Sequence, residues 1–226
     1  MLLAHAVQRE LWYLSSILTS PLHRQSKSPT LWFQRAWIYL TFRGECEALF
    51  RSREWVLGEL EVVLKAGERH QHNYYAFLYA RRVIASAAKL LSDHTDPPPL
   101  HLEILQRQLA WCKAHPSDTS GWSFLAFWVR SFLTETERRE TVYLVLNFAK
   151  TLEWQGEALW AFLKSFVARD EHPHDGFPIE IARDDHDLSM KILFIMRKLC
   201  PRLLGRTAAK QAHLVAEDYD YKARDR

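Results

Sequence analysis

The sequence predicts an all-α fold built as a solenoid of antiparallel helical hairpins. Three observations carry this expectation. Glycine is scarce, at 7 in 226 residues, and period-two runs of β-branched residues are few, whereas sheets need such runs and tight turns. Helical apolar spacing recurs along the chain between short loops marked by proline or glycine. Large aromatic residues also return at a fixed interval, with Trp32, Phe77 and Trp122 standing 45 residues apart (77 − 32 and 122 − 77).

The elements follow in order. Val7, Leu11, Leu14 and Leu18 lie on one face of a first helix, about 3–18. SPLHRQSKSP reads as a loop, and Pro29 suits the first turn of the next helix, where its missing N–H costs nothing. That helix carries Trp32, Phe33, Ala36, Trp37 and Leu40, with Gly44 to end it. A third helix is expected over 47–65, with Phe50, Leu57, Leu60 and Leu64 inward and Gly67 as its stop. Asn73 caps a fourth helix, 74–91, and the run of prolines in 92–99 breaks the chain. Helices follow at about 100–114, 120–133, 135–152 and 156–168. A charged, proline-containing loop occupies 169–186, and helices resume at 188–199 and 207–217. The expected organisation is one helical-repeat domain, 1–217, with hairpins around 27–65, 73–114, 118–152 and 156–199 and a flexible tail at 218–226.

Composition narrows the function classes. The formal net charge is +3 without a basic run, which gives nucleic acid no support. The cysteines, Cys46, Cys112 and Cys200, are scattered and form neither a metal motif nor a disulfide framework, so a reduced, cytoplasmic setting is expected. No apolar run reaches the ~18 residues of a membrane span, and no cleaved signal is read at the N-terminus. His172, His174, Asp175, Asp184, Asp185, His186 and Asp187 are potential metal ligands by type. They lack helical His spacing, and a solvated charged loop is the preferred reading.

Aligning KSPTLWFQRAWI, HNYYAFLYARRV and SDTSGWSFLAFWV gives a polar start followed by a large aromatic near the front of a helix, and GEALWAFLKSF adds Trp160 as a fourth instance. Stacking explains the pattern, because one hairpin cannot bury both faces and a neighbour can cover the second. Trp32, Trp37, Trp122 and Trp160 are expected as core between repeats, and Arg35 as a partner of a carboxylate or helix end in the adjacent repeat.

With these residues in place, the chain resembles the protein prenyltransferase alpha-subunit repeat family, in its divergent repeat-containing branch. Lys27, Trp32, Arg35 and Trp37 match the family's Pro-Lys-Asn-Tyr-x-x-Trp-x-x-Arg-x-x-Trp form. Asn73, Tyr74 and Ala76 match Asn-Tyr-His-Ala-Trp, while Tyr75 stands for the histidine and Phe77 for the tryptophan. The resemblance covers about 27–165. It implies a right-handed superhelical crescent around a catalytic beta-type subunit, which would hold zinc and the prenyl diphosphate, with no cofactor in this chain. It implies transfer of a farnesyl or geranylgeranyl group to a protein cysteine. Lys27, Tyr74 and Tyr75 would support the diphosphate side, since a compact ammonium stabilises charge growing on a leaving group. The alternative is a non-catalytic helical-repeat scaffold that binds a protein partner.

Overall fold

A computed structural model describes residues 2–21, 23–91, 98–167 and 186–203. Every element among them is helical, and the chain divides into two compact units, Met1–Leu133 and Thr134–Arg226. The helix expected over 207–217, the tail at 218–226 and most of the 169–186 loop lie outside the described residues.

In the first unit, α1 (Leu2–Leu18) buries Val7, Leu11, Leu14 and Leu18, a single face at helical spacing. A short α2 (His23–Ser26) forms inside the segment expected as loop. In α3 (Pro29–Phe42), proline sits in the first turn and the Ser28 side chain accepts from the Leu31 N–H. The helix expected over 47–65 is two: α4 (Glu47–Phe50) and α5 (Arg53–Arg69). Ser52 causes the division. Its extended backbone cannot continue a helix, and its hydroxyl caps α5 by accepting from the Trp55 N–H at 3.1 Å.

Asn73 caps α6 (Tyr74–Tyr79) through the Ala76 N–H. The same rod continues as a π-helical turn, Ala80–Ile84, and as α7 (Ala85–Leu90). Then come α8 (Leu100–Ala114) and α9 (Thr119–Phe132), the latter capped by Asp118.

These helices form two rows. α3 packs on α6 and α6 on α9, while α1 packs on α5 and α5 on α8; within the rows' pairing, α1 meets α3, α5 meets α6, and α8 meets α9. Trp111 of α8 is the wedge at the last junction. Its indole donates to the Leu64 carbonyl of α5 at 3.1 Å, and its ring lies over two glycines. A Cβ on Gly67 would fall 2.8 Å from that ring and one on Gly121 2.3 Å. Gly67 therefore sits inside α5 and admits an aromatic ring rather than ending the helix, as its position in the sequence had suggested.

A buried polar cluster joins the first junction. Arg35 of α3 grips Glu59 of α5 with two parallel bonds of 2.7 Å, and donates a third to the Leu11 carbonyl of α1 at 2.8 Å. The Tyr79 hydroxyl donates to the same carboxylate at 2.6 Å. Arg35 and Glu59 are 2% and 4% exposed, so no water stands in for a lost partner. Burial acts most strongly on Arg35 and favours its neutral form; Glu59 and Tyr79 outweigh it and leave the guanidinium pKa raised. Burial first, and Glu59 next, push the Tyr79 hydroxyl well above its ordinary value, so it stays protonated as a donor.

In the second unit, α10 (Glu135–Thr151) opens with a capping box between Thr134 and Glu137. It packs on α11 (Glu157–Lys164) and α12 (His186–Leu199), followed by a 3-10 turn, Pro201–Leu203. Trp160 is fully buried, and its indole donates to the Trp154 carbonyl at 2.7 Å.

Glu59→Ala is expected to cost about 3–5 kcal/mol in urea unfolding, because it leaves a buried cation without its carboxylate. Replacing the whole cluster with Arg35→Met, Glu59→Leu and Tyr79→Phe should cost less than that single change; an equal or larger loss refutes the desolvation account. Gly121→Ala should destabilise by about 1–3 kcal/mol through overpacking on Trp111. Gly58→Ala, in α5 with nothing within 4 Å of its added Cβ, should stabilise by up to about 1 kcal/mol. Thermal melts of the two variants moving in the same direction would contradict this.

Candidate functional site

The helices α3, α6 and α9 begin alike. Ser28, Asn73 and Asp118 are their N-caps, and the residue four positions later, Trp32, Phe77 or Trp122, is buried. The indoles of Trp32 and Trp122 donate to the carbonyls of Ser26 and Pro116, each six residues upstream. Trp160 repeats this closure in the second unit. The starts in the first unit are also linked. The Asn73 amide donates to the Ser26 carbonyl at 2.7 Å, and Asp118 accepts from the His72 N–H at 2.6 Å. That bond holds His72 at φ 55°, a left-handed conformation that few residues other than glycine adopt.

Lys27 and Tyr74 thereby come to neighbouring helix starts, since Lys27 follows Ser26 and Tyr74 follows Asn73. Lys27 is half-buried, Tyr74 exposed and Tyr75 half-buried. Trp32, Arg35, Asn73, Phe77, Trp122 and Trp160 are all buried. Trp37 is not: it is 53% exposed, against the expectation of a core residue. The repeat pattern places its second large residue six after Trp32, at position 38, and Ile38 is buried there. Trp37 is one residue short, about 100° around the helix. Phe33 and Leu40, also assigned to the apolar stripe of α3, face outward with it.

Outward residues of the α3 to α9 row make several contacts with one another. Phe33 meets Tyr75 edge-on at 6.4 Å, and Tyr75 meets Tyr74 at 5.6 Å. Trp37 packs edge-on against Phe42. From the π-helical turn after α6, the Arg81 guanidinium lies 5.2 Å over the Phe127 ring of α9 and donates to the Ser123 carbonyl and hydroxyl at 2.6 and 2.7 Å. Partial burial lowers the Arg81 pKa, and Tyr74 acts in the opposite sense. Lys89 of α7 stands 5.8 Å over Phe132. Cations thus lie against rings where α6–α7 meets α9. The sequence held the signal for this face in Phe33, Trp37 and Leu40 at i, i+4 and i+7; it did not tell which of the two apolar stripes of α3 turns inward.

The other row carries an open groove of about 820 Å³, lined by Trp12, Gly58, Val62, Lys65, Arg107 and Trp111 among others. Trp12 is 71% exposed at its edge. The groove's charges answer one another, Lys65 with Glu68 at 2.7 Å and Arg107 with Glu61 at 2.8 Å.

Among the described residues no group of histidine, cysteine and carboxylate side chains is arranged to hold a metal ion. Of the residues weighed as ligands, His172, His174, Asp175, Asp184 and Asp185 lie outside the described residues, and His186 and Asp187 open α12. No helix among the described residues is long and apolar enough to cross a membrane.

Comparison with known proteins corrects the resemblance drawn from the motifs. A family model described as the ECM9 middle domain matches residues 31–154, and it is not a prenyltransferase alpha-subunit repeat. No curated protein and no solved structure matches the chain. The physical reason for the mistaken resemblance is local. A polar cap and a buried aromatic four residues on recur at every capped, stacked start of the first unit, while the arginine three further occurs at the first alone, where Glu59 answers it; Lys27 and the tyrosines took their implied role from the family alone.

Trp32→Ala is expected to cost about 3–5 kcal/mol, and Trp37→Ala under about 0.5 kcal/mol. Similar losses in denaturant titrations of the two variants would show that the outward setting of Trp37 is wrong.

Proposed function

We propose that this chain, which belongs to the ECM9 middle domain family, is a helical-repeat scaffold that binds a protein partner on the face formed by α3, α6–α7 and α9. The observation that carries the reading is the outward display of Phe33, Trp37 and Leu40 on α3 and of Tyr74 and Leu90 on α6–α7. A contiguous exposed apolar patch is costly in water and marks an interaction surface. Aromatic side chains dominate such surfaces because they offer large contact area with few torsions to freeze.

Repetition of cap and buried aromatic at 28–32, 73–77 and 118–122, with the indole closure at the first and third, supports a solenoid of stacked hairpins as the scaffold. In such a stack each hairpin adds one helix to each of two long faces, which suits an extended partner. The rings on the proposed face brace one another edge-on, so much of their ordering is complete before a partner arrives.

The test is site-specific photo-crosslinking in cells, with p-benzoylphenylalanine at position 37 or 33 and at Glu54, an exposed site on α5, as the control. A discrete adduct from positions 37 and 33, absent from position 54 and weakened by Tyr74→Ser, is expected. Adducts of equal strength at all three positions, or none at 37 and 33, refute the reading.

A further inference from the structure

We infer that the protein partner met by α3 is a second copy of this chain, whose groove between α1, α5 and α8 receives the outward ridge of α3. The inference rests on the proposed binding role of the α3 face and names its occupant.

The ridge is uncharged. Besides Phe33, Trp37 and Leu40, α3 exposes only Pro29, Thr30, Gln34 and Thr41. Arg35, the one charged residue of the helix, is buried and answered by Glu59. Charge resumes beyond the helix ends, at Lys27, Arg43 and Glu45. A surface helix ordinarily turns charged residues to water, as α1 does with Arg9 and Glu10, and α5 with Glu54, Glu61, Lys65 and Glu68. Phe33, Trp37 and Leu40 stand at i, i+4 and i+7, the anchor spacing of a helix laid into a groove.

The groove of about 820 Å³ has matching dimensions and polarity. Its floor is α5, which packs on α1 and on α8, and its banks carry Trp12 and Trp111. On α5 the lining runs from Gly58 to Glu68, about 15 Å of helix, and the ridge from Phe33 to Leu40 covers about 10 Å. A Cβ added at Gly58 meets nothing within 4 Å, so the floor is open to close approach.

Polar groups of the lining are already committed. Lys65 answers Glu68, and Arg107 answers Glu61. The Ser15, Ser16 and Thr19 hydroxyls donate to carbonyls of their own helix, and His115 Nδ1 donates to the Trp111 carbonyl at 2.9 Å. A charged occupant would lose water and find its opposite charges taken, whereas an uncharged ridge buries apolar area and leaves no charge unpaired. The occupant must also satisfy its own main chain, because the groove walls are helices whose backbone bonds are made. A helix meets that condition and an unstructured peptide does not.

Ridge and groove lie on opposite rows of the first unit, so one molecule cannot join its own. A second copy can. The contact is then heterologous: each pairing leaves one ridge and one groove free, and assembly continues by addition.

Sedimentation velocity of the full chain, between about 1 and about 200 μM, should show a sedimentation coefficient that rises with concentration. Trp37→Glu places a charge on the ridge and Gly58→Trp fills the groove. Each alone should weaken association about tenfold or more, with melting temperatures close to the parent's. An equimolar mixture of the two variants should form a complex of two chains and stop there, because one intact ridge and one intact groove remain. Leu40→Glu and Gly58→Phe replace a variant that melts early. A parent chain that stays monomeric throughout, a single variant that associates like the parent, or a mixture without the two-chain complex overturns the inference. Crosslinks from position 37 separate the two levels. An adduct of twice the chain's mass, joined between positions 58 and 68, is expected, while Glu54, a turn short of that lining, should give none. If position 37 captures a different protein and the chain stays monomeric, the binding face stands and the second copy falls. If it captures nothing and the chain stays monomeric, both fall.

Discussion

The buried Arg35–Glu59 pair is the constraint on which the rest of the first unit depends. A guanidinium taken out of water needs its carboxylate in one geometry, with every remaining donor satisfied. Here that geometry requires α5 to supply Glu59, α6 to supply Tyr79 and α1 to supply the Leu11 carbonyl, so four helices are set against each other by one side chain. It also fixes the rotation of α3. With Arg35 inward, Trp32, Ala36 and Tyr39 follow at i−3, i+1 and i+4, and Phe33, Trp37 and Leu40 are turned to solvent. The exposed aromatic face is therefore a consequence of the ion pair and not a separate feature.

The next junction solves the same packing problem without charge. Ala80 and Leu125 occupy the places 45 and 90 residues after Arg35, and both are buried. In place of a polar cluster, the Trp111 ring fills the space between α5, α8 and α9, and two glycines make room for it. The π-helical turn at Ala80–Ile84 lies between these two solutions, directly after Tyr79. A π-turn admits one extra residue into the helix and shifts the residues beyond it around the axis. It lets Tyr79 serve the polar cluster while Arg81 reaches Ser123 and Phe127 on the far side.

Much of the helical layout was legible in the sequence because it rests on local chemistry. The face of α1 follows from leucine and valine spacing, and the starts at Ser28, Asn73 and Asp118 follow from cap residues. What was not legible depends on distant partners. The sequence of α3 offers two apolar stripes, and the choice between them is made by Glu59, 24 residues away. Gly67 looks like a helix stop until Trp111 is known to lie over it. Ser52 carried a local signal, a polar cap two residues before Glu54, that the continuous apolar spacing over 47–65 obscured. The family resemblance failed for a related reason: its cap and its aromatic are those that any capped and stacked start of this kind employs.

The two rows divide the electrostatic work. In the α1, α5 and α8 row, charge holds neighbours together. Arg53 reaches Glu103 at 2.5 Å and the Pro98 carbonyl at 2.7 Å, and Arg107 joins Glu103 and Glu61. Burial would raise the Glu103 pKa, but hydrogen bonds from Arg107 and Arg53 outweigh it and hold the carboxyl below its ordinary value. Carboxylates spent in this way neutralise the row that contains them. The α3, α6–α7 and α9 row is instead joined by rings, caps and the Arg81 bonds to Ser123. None of these contacts is an ion pair, so the joining needs no carboxylate matched to a cation. A face joined by aromatic packing keeps rings on display, whereas a face joined by ion pairs commits its side chains to its neighbours. That difference in construction, and not net charge, sets the two rows of the first unit apart.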